Sequence, residues 1–406
     1  MASHAWGQET PPAPGPSPVP ERPGPSLAAY PLELLGLLAP PAQRGPVTLM
    51  PSISVSEEYN DNLFLNNQNR QWDLITGFSP AITLFVNRPS FQWSGGYSFT
   101  AELYERESRL NNAFNRQNLL FSSLYQATPR LTLTSFGSFA LNRNTNLVAS
   151  QGVASGRQVS WSSTFAPGMT WQMAPRTSLS LGASSSGLRF EGAGSGRDSD
   201  TYGLQSSLGH MLTPRLTGSI GYGFTYLNLK GQDNSTTRTP TLGVSYRLTP
   251  TLTGSISGGP AITELGGDRF VSPAATASLV QVLGFGSASA QYTRSVSAAG
   301  GFGGTTDAQS VSGTLTLPAL RRGLLVVFSP TYSTAESVSS RQTGRVDVRA
   351  LTLSLGITYQ VARYVSVFGG YTFFQQRTGG SSTTQVEADQ NRIRFGLQFG
   401  YPINFD

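Results

Sequence analysis

The chain has 406 residues, of which 12% are charged and 38% hydrophobic, with a formal net charge of +6 and no cysteine. The charged share is about half that of ordinary soluble domains, and no run of roughly 18 apolar residues could form a membrane-spanning helix. The basic residues are dispersed, which argues against a nucleic-acid partner, and the lack of cysteine excludes disulfides and thiolate metal sites.

Residues 1–46 are a separate region. The stretch PPAPGPSPVPERPGP predicts an extended or disordered segment, because it is rich in proline and has no core-forming residues. Ser26–Leu38 is a short apolar patch that fits either a small docking helix or a poorly ordered tail. It is too short to span a membrane. No basic and then apolar leader precedes it, so a signal peptide is not visible in this sequence.

From Val47 onward, apolar residues alternate with serine, threonine, glycine and glutamine. This period of two predicts strands with one polar face and one lipid-facing face. The third strand illustrates the apolar parity with Phe91, Trp93, Tyr97, Phe99 and Leu103. In the second strand, Ile75 and Phe85 break the pattern. The phrase LTPRLTGSIGYG at 212–223 returns as LTPTLTGSISGG at 248–259, which predicts two equivalent turns, each followed by a strand.

Short turns and longer loops alternate along the rest of the chain. The short turns are predicted at 87–90, 128–130, 174–177, 213–215, 249–251, 283–286, 318–323 and 361–364. The longer loops are centred on 60–70, 106–115, 142–157, 191–200, 230–237, 264–268, 295–306, 334–344 and 377–390. Eight turns and nine loops define about 18 strands. Residues 47–406 are therefore predicted to form one all-β, up-and-down antiparallel transmembrane barrel, with short periplasmic turns and long extracellular loops. Residues 1–46 then lie in the periplasm.

The stretch PSISVSEEYNDNLFLNNQNRQWDLITGFSPAITLFV at 51–86 resembles a known family. Its Pro-Ser opening, the step from Glu58 through Asn62 and the following SPAITLF are similar to the start of certain outer-membrane β-barrel porins. These porins are associated with polysaccharide-export and exosortase systems of Gram-negative bacteria. The resemblance implies a barrel in the outer membrane with a link to surface polysaccharide, and it assigns no functional residues.

Catalytic and metal-binding chemistry is hard to place in this sequence. His4 and His210 are the only histidines, and they lie in the tail and beside a periplasmic turn, so we expect no enzyme. Glu57, Glu58, Asp61 and Asn62 offer oxygen ligands of the kind that Ca²⁺ prefers. A solvated loop is the preferred interpretation, so neither a metal nor a cofactor is expected.

The polar parity predicts the lining of a lumen. The pore-lining candidates are Asp73, Glu102, Arg116, Gln172, Gln205, Arg247, Gln360, Arg392, Arg394 and Gln398. A barrel of this size is wide enough for an aqueous channel unless loops fill it. No loop is an obvious plug, although 142–157 and 377–390 are long enough to fold inward.

We therefore expect a channel in the outer membrane of a Gram-negative bacterium, serving as a conduit associated with exopolysaccharide export. One alternative is a general or sugar-specific diffusion porin, and another is a closed structural or adhesive barrel. The expected partners are outer-membrane lipid and, with 1–46 as the docking segment, polysaccharide and periplasmic export components. The oligomeric state is left open, because oligomer faces and lipid faces look alike in sequence.

Overall fold

The computed structural model describes residues 46–142, 147–148, 153–154, 159–191, 198–231, 233–298, 305–318, 322–337, 347–379 and 387–405. Ser26–Leu38 lies outside them. The strands are β1 (Val47–Asn60), β2 (Asp73–Arg88), β3 (Phe91–Tyr104), β4 (Asn112–Thr128), β5 (Leu131–Asn142), β6 (Leu147–Val148), β7 (Val153–Ala154), β8 (Val159–Ala174), β9 (Thr177–Glu191), β10 (Ser199–Thr213), β11 (Leu216–Leu229), β12 (Ser235–Arg247), β13 (Leu252–Leu265), β14 (Asp268–Leu283), β15 (Gly286–Ala298), β16 (Thr305–Leu317), β17 (Leu324–Ser337), β18 (Asp347–Ala362), β19 (Val365–Gly379), β20 (Ala388–Gly400) and β21 (Ile403–Phe405).

Eighteen of these strands close into a single antiparallel barrel. Each wall strand pairs with its neighbours in the chain, and β1 pairs both with β2 and with β20. The short strand β21 continues the last strand and pairs with the first residues of β1. The strands β6 and β7, in the connection between β5 and β8, pair with each other and not with the wall, and β7 approaches β18. The prediction of an up-and-down barrel of about 18 strands is confirmed, and closure leaves the wall with no free edge.

Three of the short turns, those that follow Thr128, Thr213 and Thr249, owe their geometry to threonine and proline. Thr213 accepts hydrogen bonds through Oγ1 from the backbone N–H of Arg215 at 3.3 Å and of Leu216 at 3.0 Å. Thr249 accepts one from the backbone N–H of Leu252 at 3.0 Å. Proline sets the backbone dihedral at the centre of the turn, and the hydroxyl satisfies N–H groups that the ladder leaves unpaired. The two copies of the repeated phrase therefore occupy equivalent turns.

The connections at the opposite end vary more in length. The loop between β1 and β2 covers 61–72, whereas β13 and β14 are joined by Gly266 and Gly267 alone, at φ values of 58° and 90°. Two residues with positive φ form a tight hairpin that glycine adopts without strain. The centres of the predicted loops at 142–157, 191–200, 295–306, 334–344 and 377–390 lie mostly outside the described residues.

Large apolar side chains cover the outside of the barrel. Ile220, Leu242, Ile256 and Val271 are each more than 60% exposed, which would be unfavourable in water but suits a lipid-facing wall. Ile75 and Phe85, which break the alternation of β2, are buried on the opposite face. No helix among the described residues is long and apolar enough to cross a membrane.

Prolines interrupt the wall from within the strands. Pro80, Pro167, Pro240 and Pro330 lie on the lipid-facing parity, and at each one the pairing with a neighbouring strand lapses. Proline has no N–H to donate, so each one removes a ladder hydrogen bond that a closed barrel would otherwise make. Strand pairing in the closed wall is therefore interrupted at each of these four prolines.

Candidate functional site: the inner wall and its outer mouth

The two faces of the wall differ in crowding. Closure makes one face concave, so its side chains converge, while those on the convex face spread apart. On the polar parity of β1, Ser56 and Glu58 are buried, whereas Val55 and Tyr59 on the apolar parity are exposed. The polar parity is therefore the inner face, and the inner wall is the part of the protein that can contact a solute in the lumen.

The first loop, 61–72, folds onto this inner wall at the end opposite the short turns. Leu63 packs with the inward side chains of Ile75 and Tyr104 on β2 and β3. Leu65 packs with Ala350, Phe374 and Ala388 on β18, β19 and β20. Both leucines are almost completely buried. The loop thus covers the inner surface of adjacent strands on both sides of β1 and narrows the outer mouth on that side.

Leu65 adopts a backbone conformation that is unfavourable for its side chain. Its φ is +54°, and it is the one non-glycine residue with positive φ within the described part of the chain. A branched residue in the left-handed region costs on the order of 1–2 kcal/mol. The burial of Leu65 and the hydrogen bond from its N–H to the carbonyl of Asn62, at 3.2 Å, offset this cost.

Side chains at the end of β1 fasten the loop to β20. Asn62 donates from Nδ2 to the carbonyl of Asp389 at 2.9 Å, and its Oδ1 accepts from the N–H of Asn66 at 2.9 Å. Asn60 accepts through Oδ1 from Nε2 of Gln390 at 3.1 Å. Asp61 accepts from the N–H and Nδ2 of Asn391, at 2.6 and 2.7 Å. The Asn-Asp-Asn step therefore joins the first strand of the barrel to the last.

An ion pair continues this junction down the inner wall. Arg392 forms two hydrogen bonds to Glu58, from Nε to Oε1 and from Nη2 to Oε2, each 2.8 Å long. One level below, Arg394 donates to Oγ of Ser56 from Nη2 at 2.8 Å and from Nε at 3.0 Å. A bidentate pair in a partly buried site is strong and fixes its partners in orientation.

A second polar cluster lies beside the first on β3 and β4. Glu102 pairs with Nε of Arg116 at 2.8 Å, and its Oε2 accepts from the hydroxyl of Tyr104 at 2.7 Å and from Nδ2 of Asn115 at 3.2 Å. Its side chain is only 4% exposed. Both clusters pair each carboxylate with a guanidinium, so this side of the inner wall is rich in charge but close to neutral.

The inner wall from β8 to β15 is different in character. Its inward residues are mostly serine, threonine and glycine, and Gln205 and Ser289 are exposed. By contrast, the inward glutamines Gln376 and Gln390, near the first loop, are 0% and 1% exposed. Water reaches the inner wall on the side away from the first loop. The lumen is therefore asymmetric, with a sealed charged side and an accessible hydroxyl-rich side.

The ten pore-lining candidates all fall on the inner face, but in different surroundings. Asp73 is fully buried and accepts from the N–H groups of Arg106 and Glu107 at 3.1 and 2.9 Å, so it holds the loop between β3 and β4. Gln172 and Gln360 donate to carbonyls at the short turns. The structure gathers four of the candidates into the two polar clusters: Glu102, Arg116, Arg392 and Arg394. It leaves three others apart from them: Gln205, Arg247 and Gln398.

Sequence reasoning missed the residues that fasten the first loop. Glu58 and Asn62 were considered only as Ca²⁺ ligands, yet Glu58 binds Arg392 and Asn62 binds backbone groups. Glu57 lies on the outer face and accepts from the hydroxyl of Thr76 at 2.8 Å. The sequence signal that could have shown these partners is the match between the acidic and amide-rich end of the first strand and the DQNRIR stretch of the last strand.

Two carboxylates near the first loop, Asp61 and Asp389, share Arg70 as an ion-pair partner, at 3.8 and 3.3 Å from its guanidinium nitrogens. Within the ranges that the structure describes, no group of three or more histidine, aspartate or glutamate side chains is arranged to hold a metal ion. His210 lies on β10, with Nδ1 3.0 Å from Oγ1 of Thr177 beside a short turn. The chemistry of this inner wall is thus hydrogen bonding and ion pairing.

No protein-family model and no curated protein matches the chain. Among solved structures, it is similar to OccK9 (OpdG) of Pseudomonas aeruginosa at 12% identity and a TM-score of 0.43, covering 88% of this chain and 98% of that one. OccAB4 of Acinetobacter baumannii matches at 10% identity and a TM-score of 0.43, covering 90% of this chain and 100% of that one. The siderophore receptor PirA of P. aeruginosa matches at 10% identity and a TM-score of 0.41, covering 89% of this chain and 81% of that one. At these identities and TM-scores the likenesses carry no argument, and the barrel rests on its own strand pairing.

Proposed function

We propose that this protein is a passive outer-membrane channel for small hydrophilic solutes. The observation that carries the proposal is the accessible inner wall of β8–β15, where Gln205 and Ser289 are exposed inside a closed barrel. The apolar exterior supports a location in a membrane, and all-strand spans of this kind belong to outer membranes.

The lining favours diffusion over tight binding. Hydroxyl and amide groups both donate and accept hydrogen bonds, so they replace the water around a polar solute without selecting one charge. The fixed charges on the other side, such as Glu58 with Arg392 and Glu102 with Arg116, are already paired. A solute therefore meets a hydrated, nearly neutral surface on its way through the lumen.

Single-channel recording in planar bilayers tests this function. We expect the purified, folded barrel to conduct, and we expect Gln205→Trp to lower its conductance because the new ring projects into the accessible part of the lumen. The matched control is Leu204→Trp, which adds an indole at the adjacent residue on the outer face, where Leu204 is 57% exposed. A barrel that never conducts would support a closed structural or adhesive role instead.

Passage of a sugar polymer is the second candidate function. It is supported by the resemblance of 51–86 to barrels associated with polysaccharide export, and by a lining whose hydroxyl groups suit a hydrated sugar chain. A deletion strain separates the two candidates. Loss of surface polysaccharide with normal solute uptake supports export, whereas slower uptake of small sugars with normal surface polysaccharide supports the diffusion channel.

A further inference from the structure

A groove runs along the outer surface of the barrel over β9. The outward residues of β9 are small at Ala183, Ser185 and Gly187, whereas Phe165, Tyr202 and Leu204 on the flanking strands are large. The groove has a volume of about 370 Å³ and a nearly wholly apolar lining. Its walls are formed by side chains of β8, β10 and β11: Phe165, Pro167, Tyr202, Leu204 and Phe224.

The floor of this groove is backbone. Ser184 and Gly203 line it although both positions belong to the inner parity. The pairing of β8 with β9 lapses between Phe165 and Gly168, at Pro167, which has no N–H to donate. A recess one strand wide with apolar walls matches the shape of a single hydrocarbon chain.

Cationic side chains lie where the groove opens toward the longer loops. Beyond Gly187, Arg189 pairs with Asp200 at 2.5 Å and donates to the carbonyls of Ser199 at 2.9 Å and Leu188 at 3.1 Å. A guanidinium has five N–H donors, so these three acceptors do not exhaust it. Its carbon atom also lies 5.8 Å from the ring centroid of Trp161.

A second cation, Lys230, follows the end of β11, on the other side of β10 from Arg189. Lys230 is 81% exposed and its Nζ lies 3.4 Å from Oδ2 of Asp198. An exposed ion pair of this length is weak, so the ammonium group can turn toward another anion at little cost. Arg189 and Lys230 thus flank the first residues of β10, at the end toward which the groove opens, and both can donate hydrogen bonds to a phosphate group.

We infer that this groove binds one acyl chain of a phosphate-bearing membrane lipid, with the lipid headgroup held at Arg189 and Lys230. The inference rests on the membrane location in the proposed function and is independent of whether the lumen conducts. A second copy of the barrel fits poorly, because its convex wall cannot enter a recess one strand wide. A polar solute fits no better, since the lining offers it almost no hydrogen-bonding groups.

Native mass spectrometry of the delipidated, folded barrel tests the groove. The probes are phosphatidylglycerol and diacylglycerol with the same acyl chains. We expect Ser185→Trp to reduce retained phosphatidylglycerol at least tenfold, because the indole fills the recess. Ala290→Trp is the matched control, because it adds the same group to an exposed outward position on β15, and it is expected to retain lipid as the wild type does. Equal retention by the two variants would overturn the inference.

The headgroup contact has its own test. The double variant Arg189→Gln with Lys230→Gln is expected to lose the preference for phosphatidylglycerol over diacylglycerol while keeping the binding of diacylglycerol. An unchanged preference in the double variant, or equal binding of the two lipids by the wild type, would show that Arg189 and Lys230 do not bind the headgroup. A dimer that Ser185→Trp dissociates would assign the groove to a second copy. Ser185→Trp should also conduct normally in bilayers, which separates failure of this site from failure of the channel.

Discussion

The junction between the first and last strands depends on a few individual side chains. Glu58 and Arg392 face each other across it with side chains 7% and 20% exposed. Desolvation weakens the net value of such a pair, but removing one partner leaves the other charge buried without compensation. Removing one partner should therefore destabilise the barrel by more than the intact pair stabilises it.

We expect Glu58→Gln to lower the free energy of unfolding by on the order of 3 kcal/mol, as is common when one partner of a buried pair is lost. The control is Glu264→Gln, which breaks the pair with Arg238 on the outer rim, where both side chains are nearly half exposed. Such an exposed pair is worth less than about 1 kcal/mol. Guanidinium unfolding in detergent micelles, followed by tryptophan fluorescence, measures both. Equal losses of unfolding free energy in the two variants would show that the pair of Glu58 and Arg392 stabilises the barrel no more than an exposed pair does.

At the residue scale, the sequence predicts which face a side chain takes but not what it touches. Strand parity places Arg392 and Glu102 on the inner wall, because alternation is a local property of the chain. Their partners, Glu58 and Arg116, depend on strand register, and in the first case on a pairing that joins residues more than 300 positions apart. Asp73 shows the same limit, since its burial follows from how the loop between β3 and β4 folds back.

The first loop is the element that shapes the lumen. It was not among the segments predicted to fold inward, because its length and polarity are those of an ordinary surface loop. Two leucines separated by one residue turn it into an inward cover, since Leu63 and Leu65 find apolar sites on both sides of β1. Sequence alone does not show those sites, which come from strands at opposite ends of the chain.

We expect Leu65→Asp to raise single-channel conductance, because a buried carboxylate near Phe374 is unfavourable and drives the loop out of the mouth. Gln68→Asp is the control, since Gln68 is exposed in the same loop. If both variants conduct as the wild type does, the first loop does not limit the passage.

The prolines within strands make some glycines indispensable. A Cβ on Gly259 would overlap the carbonyl oxygen of Pro240, at the place where β12 and β13 lose their pairing. We expect Gly259→Ala to cost about 1–3 kcal/mol, the usual range for overpacking, or to prevent folding. Gly223→Ala is the control, because its nearest neighbours would lie at 3.7 Å, an ordinary contact. The temperature at which each variant loses its heat-modifiable mobility on gels measures its stability. Equal unfolding temperatures for the two variants would contradict the prediction.

At the scale of the whole molecule, the architecture was the most predictable feature. A strand pattern repeated along the chain and punctuated by threonine-proline turns leaves little freedom in strand number or order. The turns that follow Thr128, Thr213 and Thr249 appear where the sequence places them, because a proline and a threonine hydroxyl specify each of them locally. The predicted orientation in the membrane follows from the short turns at one end and the longer loops at the other. It is open to a direct test because the chain has no cysteine.

Single cysteines introduced at the two ends of the barrel report this orientation. We expect Gln68→Cys, in the exposed part of the first loop, to react with a membrane-impermeant maleimide on intact cells. Arg176→Cys, in the short turn between β8 and β9, should react only after the outer membrane is permeabilised. Both side chains are exposed, so accessibility within the protein does not favour either site. The cysteine-free wild type is the blank. If Arg176→Cys is labelled on intact cells and Gln68→Cys is not, the orientation of the barrel is the opposite of the predicted one, and the first loop lies at the periplasmic mouth.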